Sequence, residues 1–232
     1  MPQQAVARAF ANEPEVSHRT LSAALRWLSI AAGFAYLASG PWQPYPGSVV
    51  VKGLSVGALA AIAFLAGSPI LGAALALSSL GDVLLDLDPV RLFVFGLASF
   101  LVAHLVYTVL FLRSRRRPIE LSGPRGALVL LMIFTAASLG SWLIPSLGRL
   151  MVPVAIYMFA ITAMVVSAIV ARFASPWVAV GAILFLVSDS VLAINKFKMT
   201  LPYRDIVVWS TYYLGQYAIA TGFLSQSRRM PD

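Results

Sequence analysis

Eight runs of apolar residues, each about 17 to 22 residues long, follow one another along this chain, and nearly all of its charge lies in the short segments between them. That alternation constrains the fold more than any single motif does. A run of this length, wound as an α-helix, matches the thickness of membrane hydrocarbon and satisfies its own backbone hydrogen bonds there. With nine acidic residues among 232 and a hydrophobic content of 59%, the chain cannot provide the polar face that every helix of a soluble all-helical protein needs. Composition therefore excludes the soluble class and implies a multi-pass membrane protein.

The runs cover about 22–39, 48–66, 70–86, 91–112, 126–143, 151–171, 177–195 and 206–225, with glycine, proline and charge marking their limits. Gly40, Pro41 and Gly47 separate the first two; Gly67, Ser68 and Pro69 form a turn so tight that the third helix must return beside the second. The fold class expected is all-α, a polytopic transmembrane bundle of eight helices. Residues 1–20, with Arg8 and His18, read as a flexible cytosolic tail without a signal peptide's apolar core, 21–226 as the eight-helix domain, and 227–232 as a second cytosolic tail. An even number of spans places both termini on one side. That side would collect eleven basic residues, among them Arg113, Arg115, Arg116, Arg117, Arg125, Arg172, Arg228 and Arg229, against six on the other, so both termini are expected to be cytosolic. SSLGDVLL and FLVSDSVLA each place an aspartate after a small residue in the third helix of a four-helix set, a weak 4+4 echo.

The net charge of +8 needs no nucleic acid, because cationic loops set topology and hold anionic lipid. There is no cysteine, which excludes disulfides and thiolate chemistry, and two histidines exclude a histidine-rich metal cluster. Neither GxSxG, HExxH nor a glycine-rich nucleotide loop occurs. No spacing demands a metal or cofactor, and none is assigned.

Against this apolar background, ionisable groups inside the runs need partners or a polar cavity. Ser78, Asp82 and Asp86 recur at four-residue spacing and share a helix face, where two carboxylates in low dielectric favour an acid beside a carboxylate. The plainer reading has Asp86 and Asp88 solvating the turn. Asp189 lies between Ser188 and Ser190, with Lys196 seven residues on; either Lys196 or Lys52 is a candidate partner, and a structural ion pair is the plain alternative. His104 and Tyr107, three apart, offer a proton carrier and a phenol, or simply helix packing. Tyr212, Tyr213 and Gln216 lie on adjoining parts of the last helix, suited to a headgroup pocket or to interfacial anchoring. Lys52, Arg91, Lys196 and Arg204 bring positive charge to the same membrane face. A single cavity open to the non-cytosolic side is expected to gather these groups.

Lys52 in VVKGL, then SSLGDVLL, FGLASFLVAHLVY, FLVSDSVLA and STYYLGQYAIA together resemble the YhhN-like lysoplasmalogenase family of eight-helix membrane proteins, over about residues 25–225. Gly81 and Asp82, His104 and Tyr107, Ser188 and Asp189, and Tyr213 with Gln216 carry most of the resemblance. Gly53 departs from the proline usual after the lysine. The resemblance implies hydrolysis of the vinyl ether of a lysophospholipid, releasing a fatty aldehyde and glycerophosphoethanolamine or glycerophosphocholine, in the inner membrane of a bacterial cell. On that reading Asp82 protonates the vinyl carbon remote from the ether oxygen and Asp189 stabilises the cation and activates water, or the two exchange roles; His104 shuttles the proton. Tyr107, Tyr212, Tyr213, Gln216, Asp86 and Lys196 bind substrate, and Lys52 meets its phosphate. Partners are then the lysophospholipid and membrane lipids, with the oligomeric state open. The alternative is a small-solute or lipid transporter using the same Asp and Lys sites, with a scaffold third.

Overall fold

The structure, a computed structural model, describes residues 2–43, 45–115, 121–171 and 173–227, with backbone alone for 2–18, 41 and 227. Arg116, Arg117, Arg172, Arg228 and Arg229, on which the orientation leaned, lie outside the described residues, as do the tail beyond Ser227 and the side chains of Arg8 and His18.

The helices are α1 (Pro2–Ala38), α2 (Ser48–Leu65), α3 (Pro69–Leu87), α4 (Phe93–Arg113), α5 (Gly123–Leu147), α6 (Met151–Val170), α7 (Trp177–Phe197) and α8 (Arg204–Ser227), with single 3-10 turns at Gly40–Trp42 and Gly148–Leu150. The all-α, multi-pass character expected from hydropathy is what forms. The count of eight membrane-crossing helices is corrected. Among the described residues six helical stretches are long and apolar enough to cross, namely Arg19–Ala38, Ser48–Leu65, Pro69–Leu87, Phe93–Arg113, Gly123–Val170 and Trp177–Phe197. The fifth breaks at Gly148–Leu150 into α5 and α6, which brings the number to seven. The last helix, α8, does not qualify. It carries Arg204, Asp205, Tyr212, Tyr213, Gln216, Tyr217 and Gln226, of which Tyr212, Gln216 and Gln226 turn inward and are buried. Without an even count of spans, the cytosolic placement of both termini and the 4+4 division lose their basis.

Local sequence explains the connections. Gly67, with φ of 71°, ends α2: its N–H donates to the Phe64 carbonyl and that of Ser68 to the Ala63 carbonyl, the paired bonds of a Schellman cap. Pro69 opens α3 where no N–H is needed. The chain thus reverses in a few residues, and α3 packs back along α2, as the tight turn predicts. Gly53 belongs to that contact. A methyl group there would lie 2.8 Å from Val83, and the Gly53 carbonyl accepts from Ser79 Oγ at 2.8 Å.

Close approach through small residues also builds the α7–α8 pair, the most extensive interface in the bundle. A methyl on Gly181 would sit 2.5 Å from the Gly215 carbonyl oxygen, so only glycine lets these backbones meet. Beyond this pair, α8 touches α2 and α1, α3 packs on α4, and α4 on α6. The main core runs through Leu71, Leu75, Phe111, Met164, Phe185 and Ile219. Outer helix α5 packs against α6 and α7 and turns Leu130, Leu131 and Phe134 outward, toward lipid.

Candidate active site

Four polar clusters result, and they divide the residues that the sequence groups together. The start of α2, the end of α3, α1 and α8 form the first. Lys52 Nζ lies 3.2 Å from Asp86 Oδ1, and the Tyr36 hydroxyl donates to the same oxygen at 2.8 Å. The lysine also sits over the rings of Tyr36 and Trp209, at 5.2 and 5.9 Å. Trp209 in turn donates its indole N–H to the Gly33 carbonyl at 2.9 Å. This arrangement pairs Lys52 with Asp86 and ties four helices together.

Asp82 occupies the second. One turn before Asp86 on α3 and 4% exposed, it accepts a hydrogen bond from Tyr212 Oη of α8 at 2.6 Å. The two carboxylates thus bond to different partners, Asp82 to Tyr212 of α8 and Asp86 to Lys52 and Tyr36. Ser78, the third member of that face, bonds back to the Ala74 carbonyl within its own helix.

The third cluster surrounds Asp189 on α7. Tyr157 of α6 donates its hydroxyl to Asp189 Oδ2, and His104 Nε2 of α4 stands 3.9 Å from the same oxygen. The histidine is fully buried, with its ring against Tyr157 at 5.1 Å and Phe185 at 4.8 Å, and neither ring nitrogen has a hydrogen-bond partner among the described residues. Burying both without a partner is costly. Neither Lys52 nor Lys196 pairs with Asp189. A chain of ring contacts joins this cluster to the second: Phe185 lies 5.1 Å from Tyr212 and 4.8 Å from His104, with Phe100 flanking both Phe185 and Tyr212.

Helix packing accounts for the fourth. Tyr107 donates to Gln216 Oε1 at 2.6 Å, and Tyr213 shares a 2.9 Å bond with Ser29 while stacking on Trp209. Tyr212, Tyr213 and Gln216 thus meet side chains of other helices.

One groove opens beside the third cluster. Walled by α4, α5, α6 and α7, with Leu85 of α3 at one side, it has about 790 Å³ of space free of protein atoms, open solvent included. Leu97, Leu139, Met158, Ile161 and Leu186 make most of the wall apolar. Asp189, Tyr157 and Lys196 supply its ionisable groups; Asp82, Asp86, Lys52, His104, Tyr212, Tyr213 and Gln216 are not in the lining. This groove therefore gathers only part of the set expected to share one cavity.

Tyr157 is the functional residue that sequence reasoning missed. The signal, a lone phenol inside an apolar helical run, is the same one that singles out Tyr107. Phe93 is missed as well: its ring carries Lys196 Nζ at 4.7 Å.

Comparison with known proteins adds the family. Over 162 residues the chain is 38% identical to the lysoplasmalogenases of Mycobacterium bovis and Mycobacterium tuberculosis, covering 68% of this chain and 61% of each relative. It is 36% identical over 158 residues to lysoplasmalogenase TMEM86B of Rattus norvegicus, covering 67% of this chain and 61% of that protein. The chain therefore spans about three fifths of the length of these relatives. No solved structure matches it. The profile of the YhhN family matches residues 47–223, which hold all four clusters except Tyr36, Gly33 and Ser29, and with this match the resemblance carried by Lys52, Asp82, His104, Asp189 and Gln216 becomes an assignment: the chain belongs to the YhhN family.

Proposed function

We propose that this chain is a lysoplasmalogenase-like hydrolase that cleaves the vinyl ether of a single-chain lysophospholipid in the inner membrane of a bacterium. The observation that carries the reading is the placement of Asp189, held by Tyr157 and flanked by buried His104, in the wall of an otherwise apolar groove. The relatives' names support the reaction class, and the mycobacterial ones support a bacterial setting.

The groove suits an alkenyl chain, whose burial stabilises the complex by about 0.8 kcal/mol per methylene where it leaves water. Asp189, as the acid, donates its proton to the vinyl carbon remote from the ether oxygen. Positive charge then develops on the other vinyl carbon and the oxygen, beside the carboxylate just formed, which stabilises it in low dielectric. Water adds to that carbon and gives one proton to the Asp189 carboxylate, from which His104, behind it and outside the groove lining, takes it up. The hemiacetal gives up its hydroxyl proton, the glycerol oxygen takes one, and the carbon–oxygen bond breaks to free the aldehyde. His104 returns its proton to Asp189. The two unpartnered ring nitrogens suit this traffic, since a neutral imidazole accepts at one and donates at the other.

Asp82 takes a different part from the one sequence reasoning put first. Sealed behind Tyr212, it has no opening to the groove, so we assign proton donation to Asp189 and to Asp82 the task of holding α3 on α8. Purified protein in detergent, where no gradient exists, should release aldehyde from a lysoplasmalogen. Solute or lipid flux in liposomes without any product would mean a transporter instead.

A further inference from the structure

The end of α7 presents two lysines that the reaction above does not use. Lys196, exposed, and Phe197 belong to the groove's lining; Lys198 follows, half-buried. Each ammonium rests on a ring from another helix, Lys196 on Phe93 of α4 at 4.7 Å and Lys198 on Trp142 of α5 at 5.2 Å. The segment is pinned: the N–H groups of Lys198 and Met199 both donate to the Ile194 carbonyl, and that of Leu201 donates to Asn195 Oδ1. Among the described residues no carboxylate lies within salt-bridge distance of either amine, whereas Lys52 is neutralised by Asp86. An aromatic face locates a cation without cancelling its charge, and its attraction is weak enough for an anion to outbid it. The groove's cationic end thus sits on α7 seven residues, about two helical turns, beyond Asp189.

We propose that Lys196 and Lys198, held on Phe93 and Trp142, form the receptor for the phosphodiester of a single-chain phospholipid whose hydrocarbon chain lies in the groove past Asp189. The inference rests on the lipid reading of that groove. It replaces Lys52 as the phosphate contact and makes recognition of the lipid two-ended, with charge at the mouth and apolar wall behind it. Lysines placed only to anchor the bundle at the interface would show no preference between lipids with and without phosphate.

The test is binding by purified protein in detergent of two ligands that lack a vinyl bond: an alkyl-ether lysophosphatidylcholine and the 1-O-alkylglycerol of the same chain. For Lys196→Gln or Lys198→Gln alone, phosphate-bearing lipid should bind about fivefold more weakly, and about 30-fold for the double variant, with alkylglycerol binding within about twofold of wild type. The double Lys→Arg variant should restore the phosphate preference. Equal losses for both ligands, or none for either, overturn the proposal. Displacement of the lipid by inorganic phosphate alone at the lipid's own binding concentration would also overturn it, in favour of a free-anion site. Because no turnover is read, an absence of aldehyde release would count against the hydrolase reading and leave this result standing or falling by itself.

Discussion

Asp82 and Asp189 are nearly the same object in two settings. Each follows a small residue in an apolar helix, and each carboxylate receives a tyrosine hydroxyl from a neighbouring helix. Asp82 is buried beneath Tyr212, Phe100 and Phe185; Asp189, half-buried, forms part of the groove wall and has His104 beside it. A buried carboxylate with its phenol is a joint between helices, whereas one that also meets an open volume and an unpartnered imidazole is positioned for chemistry. Access to space, and not residue type or depth along the helix, separates the two.

Substitutions at the two aspartates and their neighbours should have effects of graded size. Asp189→Asn should lower aldehyde release from lysoplasmalogen by about 10³-fold, the range for removing a positioned acid, with an unchanged melting midpoint. His104→Gln should cost about 10²-fold in the same assay, since the amide packs but cannot carry a proton. Asp82→Asn, whose side-chain oxygen still accepts from Tyr212, should cost about tenfold or less by the same reasoning on groups that do not touch substrate. Losses equal to those of Asp189→Asn would show that both carboxylates meet the lipid and would end the distinction. Tyr212→Phe is expected to move stability alone, by about 1 kcal/mol, because it leaves a buried carboxylate short of one donor. Tyr157→Phe should instead lower turnover, and kinetics beside thermal melting would tell the two tyrosines apart.

Much of this was legible in the residues, and some was not. Hydropathy identifies the long helices and the membrane, and Gly67, Ser68 and Pro69 mark a reversal whose cap bonds form as the turn chemistry requires. The span count misled at α8, where periodic apolar residues outnumber polar ones but do not fill an apolar window, and where Tyr212 and Gln216 are buried against protein. Four-residue spacing puts Asp82 and Asp86 on one face, yet a helix face is wide enough for adjacent turns to meet different neighbours, α8 for one and α1 and α2 for the other. Tyr157 stands out in its run only as a lone phenol, and Trp142 not at all, for the same reason: their significance lies in partners on other helices.

By itself the sequence determined an all-α, multi-pass membrane protein, its YhhN family, and the short roster of polar side chains that must find company inside it. Those are sums of local properties, since transfer energies and backbone hydrogen bonds accumulate residue by residue along a run. Which carboxylate opens onto the groove, which lysine is neutralised and which is left free were decided only when the helices packed. Partnership between groups more than a hundred residues apart, as for Asp82 and Tyr212, depends on how closely backbones approach and at what register. At the α7–α8 crossing, where Gly181 meets Gly215, that register is a matter of a single absent methyl group.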